Sequence, residues 1–195
     1  AKPVTISGPD GYIYDKDGIV TDEKINYLLE MRASGRDKAK DYADKFGVPF
    51  YPGEKPWGVK VDIAMPCATQ NEVNLEEAKR IIANGTKYYI EVANMPTTED
   101  ALNLFIDTEG ITVAPSKAVN AGGVCVSGLE MSQNSQRLSW TAEEVDEKLH
   151  HAMINIYNNS VAAAEKYGLG YNLVAGANIA GFEKVAQAMM EQGIY

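Results

Sequence analysis

Apolar residues along the chain switch repeatedly between two spacings, and the switches mark out its elements. The β-branched run VTIS (4–7) predicts a strand. In TDEKINYLLEMRAS (21–34), Ile25, Leu28 and Leu29 recur at helical spacing. A second helix is predicted over 37–46, ended by Gly47, and a short strand near 48–51 precedes the turn-rich YPGEKPWG. Three similar units follow. The strand VDIAM (61–65) leads to a helix over 75–83, where Asn74 and Glu77 have the spacing of a reciprocal capping box. The strand YYIEVA (88–93) leads to a helix over 98–106, with Thr97 or Thr98 as its N-cap. The strand ITVAP (111–115) leads to a helix beginning near Gly122.

Repeated strand–helix units with continuous apolar strands predict an α/β fold whose parallel sheet is covered on both faces. After Gln136 the pattern changes. Thr141 and Glu144 open a long helix to about Tyr167, Gly168-Leu169-Gly170 stops it, and a last helix runs from Leu173 or Asn178 to Gln192. On that helix Phe182, Met189 and Met190 are assigned to the core, and Tyr88 and Tyr89 are assigned to strand packing. The chain therefore divides into an α/β segment, 1–136, and an all-helical segment, 137–195, packing on it.

Composition adds exclusions. Hydrophobic residues make up 45% of 195 and charged residues 23%, as in an ordinary globular protein. Eighteen basic against 27 acidic residues leave a net charge of −9, so the basic stripe that marks a nucleic-acid binder is not expected. No apolar run approaches the roughly 20 residues that span a bilayer. Cys67 and Cys125 stand far apart in no metal-ligand spacing and are read as reduced thiols of a cytoplasmic protein. His150 and His151 are adjacent on one helix, face different directions and cannot chelate together. No metal site and no nucleophile–base arrangement is expected.

In an open parallel sheet, ligands bind outside the carboxyl ends of the strands. Here those ends carry three polar loops, 66–71, 93–98 and 115–123. Gly122 and Gly123 at a helix start allow a ligand to approach the backbone closely. Asn120 just before them has an amide that donates and accepts, matching a carboxamide, and the competing reading is that it only caps the helix. Asp10, in the turn Ser7-Gly8-Pro9-Asp10-Gly11, stands where a dinucleotide fold holds ribose hydroxyls, or simply in an ordinary turn.

These loops carry a resemblance. The runs SGPDGYIYD (7–15), GEKPWG (53–58), VDIAMPCATQNEV (61–73), ANMPTT (93–98), NAGGVCVSGLEMSQN (120–134) and GANIAGF (176–182) resemble hexameric bacterial glutamate dehydrogenases, in order and along the whole chain. The resemblance implies a Rossmann-like, dinucleotide-binding sheet over 1–136 and reversible oxidative deamination of glutamate to 2-oxoglutarate. It assigns the nicotinamide carboxamide to Asn120, the nicotinamide ribose to Asn94 and the adenosine ribose to Asp10. Ala68 and Thr69 line the cofactor side, with Gly122 and Gly123 beside them. Val124 and Ser127 reach the substrate, the Ser127 hydroxyl donating to the distal carboxylate of glutamate.

The departures are equally specific. The family's catalytic lysine and aspartate have no counterpart here, so no catalytic residue is assigned. The first βα unit, with its glycine-rich pyrophosphate turn, is also missing. The opening AKPVTISG looks like a strand already under way, as in an excised piece. A negative Asp10 with no arginine after it disfavours a 2′-phosphate, so NAD is preferred over NADP. The parent is expected to be a homohexamer, with the oligomeric state of this piece left open. The competing reading is a non-catalytic nucleotide-binding or assembly module.

Overall fold

The computed structural model describes residues 1–36 and 38–193. They form two compact units, Ala1–Val59 and Lys60 onward.

The first unit is built on an antiparallel meander of β1 (Thr5–Gly8), β2 (Gly11–Tyr14) and β3 (Phe50–Pro52), with α1 (Asp22–Ala33) and α2 (Ala39–Phe46) between the last two. The expected strand at 4–7 is therefore present but lies in a hairpin, not in a parallel sheet. Its partner β2 was not expected. Gly8 pairs with Gly11 across the two-residue turn Pro9-Asp10. Gly11 has φ +138°, and a Cβ there would stand 2.2 Å from the Tyr51 carbonyl oxygen, so only glycine lets β2 meet β3. Thr21 caps α1 by accepting from the Lys24 amide, and Gly47 ends α2 in the left-handed conformation. The predicted start of that helix at position 37 lies outside the described residues. Ile13, Ile19, Met31, Ala39, Tyr42 and Ala43 form the core.

Inside this unit Asp15 is almost fully buried. It accepts from Lys24 Nζ at 2.6 Å, Tyr42 Oη at 2.8 Å and the Gly18 amide at 3.2 Å. Burial works to raise the Asp15 pKa, but these hydrogen bonds and the Lys24 charge outweigh it and hold the carboxyl below its usual value. The same burial and the same carboxylate push the Tyr42 phenol far up.

The second unit contains the parallel sheet of β4 (Ile63–Ala64), β5 (Tyr88–Ile90) and β6 (Thr112–Ala114), in that order. Helix α3 (Leu75–Ala83) connects β4 to β5, and α4 (Glu99–Asp107) connects β5 to β6. Asn74 and Glu77 form the expected capping box. Thr98 is the N-cap residue of α4 but makes no side-chain cap, whereas Thr97 is buried and bonds the Tyr89 hydroxyl at 2.7 Å. Tyr89 is fully buried and stacks on Phe105, with ring centroids 3.9 Å apart, while Tyr88 is half exposed.

After β6 come the single turn α5 (Ser116–Val119), α6 (Ala121–Gln136), α7 (Ala142–Lys166) and α8 (Leu173–Gln192). The Thr141–Glu144 capping box opens α7 as expected. Helices α7 and α8 meet where Gly176 lets α8 approach the Ser160 carbonyl; a Cβ at Gly176 would lie 2.0 Å from that oxygen. Phe182, Met189 and Met190, expected in the core, are instead exposed by 59–73%. Their helical spacing defines an apolar face, but α8 makes its close packing near its start, at Leu173 and Gly176. No described helix is long and apolar enough to cross a membrane.

Candidate functional site

Parallel strands β4, β5 and β6 deliver their following loops to one edge of the second unit. The loop after β4 braces the loop after β5 through its backbone. The Asn71 amide donates to the Met95 carbonyl at 3.0 Å, and the Val73 amide donates to the Pro96 carbonyl at 2.9 Å. Asn71 and Met95 both hold positive φ, at 54° and 49°. Left-handed backbone is uncommon for a side chain such as methionine and persists only where its surroundings enforce it.

The loop after β6 is folded differently from expectation. It forms α5, and Asn120 then both ends α5 and precedes α6. The sequence left open whether Asn120 only caps the helix. It makes no side-chain cap; its Nδ2 donates to Asn94 Oδ1 at 2.6 Å, joining two loops 26 residues apart. The pair leaves the Asn120 carbonyl oxygen and the Asn94 amino group as an acceptor and a donor for a ligand.

A cleft of about 580 Å³ lies at this pair, lined by Asn94, Met95, Ser116, Lys117, Asn120, Ala121, Val124 and Cys125. That volume suits a small ligand. Of the expected residues, Asn94, Asn120 and Val124 come together in its walls. Gly122 and Gly123 follow in the first turn of α6 and have different duties. A Cβ on Gly122 would touch the side chains of Leu149 and Met153 at 3.3 and 3.4 Å, so this glycine fits α6 against α7. A Cβ on Gly123 would meet nothing within 4 Å. Ser127 is exposed one turn further along, its hydroxyl donating back to the Gly123 carbonyl at 3.2 Å. Ala68 and Thr69 are exposed in the bracing loop and not among the cleft-lining residues; the Ala68 amide donates to Glu72 at 3.0 Å.

Asp10 belongs to the first unit. The expectation placed it after a strand of a parallel sheet, and that premise fails because β1 is antiparallel. Its two carboxylate oxygens accept from the Ala39 and Lys40 amides at 3.1 and 3.0 Å, capping α2 from a distant turn.

Sequence reasoning passed over Lys117, Met95, Ser116 and Cys125. Lys117 was visible in the 115–123 loop as a cation among small residues; its ammonium bonds the Asn178 side chain on α8. No cluster of His, Cys, Asp and Glu suited to a metal is found among the described residues.

Residues 1–193 match the family described as Glutamate/Leucine/Phenylalanine/Valine dehydrogenase. The NAD-specific glutamate dehydrogenase of Clostridium symbiosum is 74% identical over 194 residues, covering 100% of this chain and 43% of that protein. The NADP-specific glutamate dehydrogenase of Haemophilus influenzae is 50% identical over 200 residues, again with 100% and 43% covered. A solved glutamate dehydrogenase structure superposes with a TM-score of 0.95 at 74% identity, covering 100% of this chain and 43% of that one. The chain thus spans less than half the length of these relatives.

Proposed function

Because this chain belongs to the glutamate/leucine/phenylalanine/valine dehydrogenase family, we propose that its cleft is the nicotinamide side of a glutamate dehydrogenase. The observation that carries this reading is the Asn120–Asn94 amide pair, released from capping duty and set on the cleft wall. Asn120 holds the carboxamide and Asn94 the adjoining ribose, which fixes the orientation of the ring. Gly123 permits close approach, while Gly122 seats α6 against α7, and Ala68 and Thr69 border the cofactor side. When bound, NAD would supply the hydride acceptor for the oxidative deamination of glutamate to 2-oxoglutarate and ammonia. The residues assigned here bind and orient; none is assigned proton transfer.

Val124 and Ser127 face the substrate in this reading. A hydroxyl at Ser127 suits the distal carboxylate of glutamate, whereas buried against an aliphatic side chain it loses roughly 1–3 kcal/mol. In the Clostridium symbiosum protein carrying this chain in place of its matching segment, Ser127→Val is expected to weaken glutamate turnover. Unchanged glutamate kinetics remove Ser127 from the site.

NAD is preferred over NADP on the NAD-specific name of the 74% identical relative. The NADP-specific relative at 50% identity shows that both cofactors occur within close likeness. Tighter binding of NADPH than NADH overturns the preference. A homohexameric assembly and a cytoplasmic setting belong to the same reading.

The deciding experiment titrates NADH into the 195-residue chain and into that exchange protein. Asn120→Ala is expected to weaken NADH about tenfold in the exchange protein, the equivalent of one hydrogen bond. Unaltered affinity overturns the assignment of this cleft. Binding by the chain alone at the affinity of the exchange protein makes it a working cofactor module. Much weaker binding by the chain alone leaves it with only the nicotinamide-side and substrate-side loops.

A further inference from the structure

Glu91 interrupts the apolar run YYIEVA and is 4% exposed, yet it forms no ion pair among the described residues. A carboxylate placed there carries a desolvation cost that a neutral side chain avoids. Its one side-chain hydrogen bond among the described residues crosses to the next strand end, where Oε2 accepts from the Ser116 amide at 3.1 Å. Ser116 opens α5 behind Pro115, which has no side chain able to cap it. The Ser116 carbonyl in turn accepts from the Asn120 amide at 2.9 Å, and Asn120 Nδ2 donates to Asn94 at 2.6 Å. Asn94 lies three residues after Glu91 on the same strand end, so the links close into a ring: Glu91, Ser116, Asn120, Asn94 and back along the backbone.

We propose that Glu91 is a positioning residue that fixes the orientation of Asn120 through the Ser116 amide. This rests on the reading of the cleft as the nicotinamide side. The carboxylate touches neither cofactor nor substrate; it anchors the turn that aims Asn120.

The test compares NADH with ADP-ribose, which lacks only the nicotinamide, by calorimetric titration of the exchange protein. Wild type, Glu91→Ala, Glu91→Gln and Asn120→Ala are measured beside their thermal midpoints. Glu91→Ala is expected to weaken NADH about tenfold and ADP-ribose less than about twofold. Glu91→Gln, which keeps an acceptor for the Ser116 amide, is expected to recover most of the loss. Equal weakening of both ligands, or of neither, overturns the positioning role. If Glu91→Ala does not fold, a folded Glu91→Met, which fills the space but offers the Ser116 amide no oxygen, must weaken NADH more than ADP-ribose, and equal effects on the two overturn the proposal. If Asn120→Ala leaves NADH unaffected, the reading of the cleft fails and the role of Glu91 with it. If Asn120→Ala weakens NADH while both Glu91 variants do not, only the role of Glu91 fails.

Discussion

The two units treat their polar side chains in opposite ways. In Ala1–Val59, Asp15 gathers an ammonium, a phenol and an amide into a closed, buried cluster, and Asp10 spends both oxygens on the start of α2. In the second unit, Asn120 stands at a helix start and makes no cap; it meets Asn94 across a cleft instead. Residue type does not separate these roles, since Asp and Asn are both good caps. Whether the cap bond forms decides which side chain serves the fold and which stays available to a ligand.

The largest expected effect breaks the closed cluster. Asp15→Ala leaves Lys24 and the Tyr42 hydroxyl without their shared acceptor and should cost about 3 kcal/mol of stability in urea unfolding. Asn120→Ala, whose amide is half open to solvent, should cost well under 1 kcal/mol, within the ordinary range for surface changes. Similar losses for the two variants would erase the contrast. Acid sharpens it. The Asp15 pKa is lowered in the folded state, so its contribution is complete above the unfolded carboxyl value of about 3.9 and is lost as pH falls through the lower folded value. Acid unfolding of the wild type should therefore steepen below about pH 4, and Asp15→Asn should flatten that limb.

Close packing between α7 and α8 comes next. The Cβ of Gly176→Ala would fall 2.0 Å from a backbone oxygen, so the helices must part, at about 2 kcal/mol. A thermal midpoint unchanged by this substitution contradicts the close approach. Tyr42→Phe follows at about 1 kcal/mol, since it removes one hydrogen bond while Lys24 still satisfies Asp15. A loss as large as that of Asp15→Ala makes the phenol, not the ammonium, the partner that holds Asp15.

What could be read from the sequence follows how local the deciding interaction is. The capping boxes at Asn74–Glu77 and Thr141–Glu144 are written within four residues, and both helices begin where predicted. The hairpin partner β2 was missed because four residues of GYIY show too little alternation, and its pairing to β3 comes from 39 residues away at Tyr12–Tyr51. Phe182, Met189 and Met190 were misassigned because periodicity identifies an apolar face without naming what lies against it. At the cleft, the asparagines and glycines stood out by type. The link from Lys117 to Asn178 spans 61 residues and leaves no local trace. Glu91 did leave one, a charge inside the apolar run YYIEVA.

The smallest effect is the one that best separates folding from binding. Gly122 and Gly123 are neighbours in the first turn of α6, and a Cβ meets Leu149 and Met153 at the first but nothing at the second. Neither glycine has a positive φ, so alanine meets no backbone strain at either. In a helix, glycine to alanine is worth about 0.5–1 kcal/mol of stabilisation when the space is open. Gly123→Ala should therefore raise the thermal midpoint slightly, while Gly122→Ala should gain less because its neighbours must give. If the open space at Gly123 is reserved for a ligand, the more stable variant must bind NADH more weakly in the exchange protein. A variant that gains stability and keeps full affinity would show that the space is only solvent, and that Gly123 plays no part in the cleft.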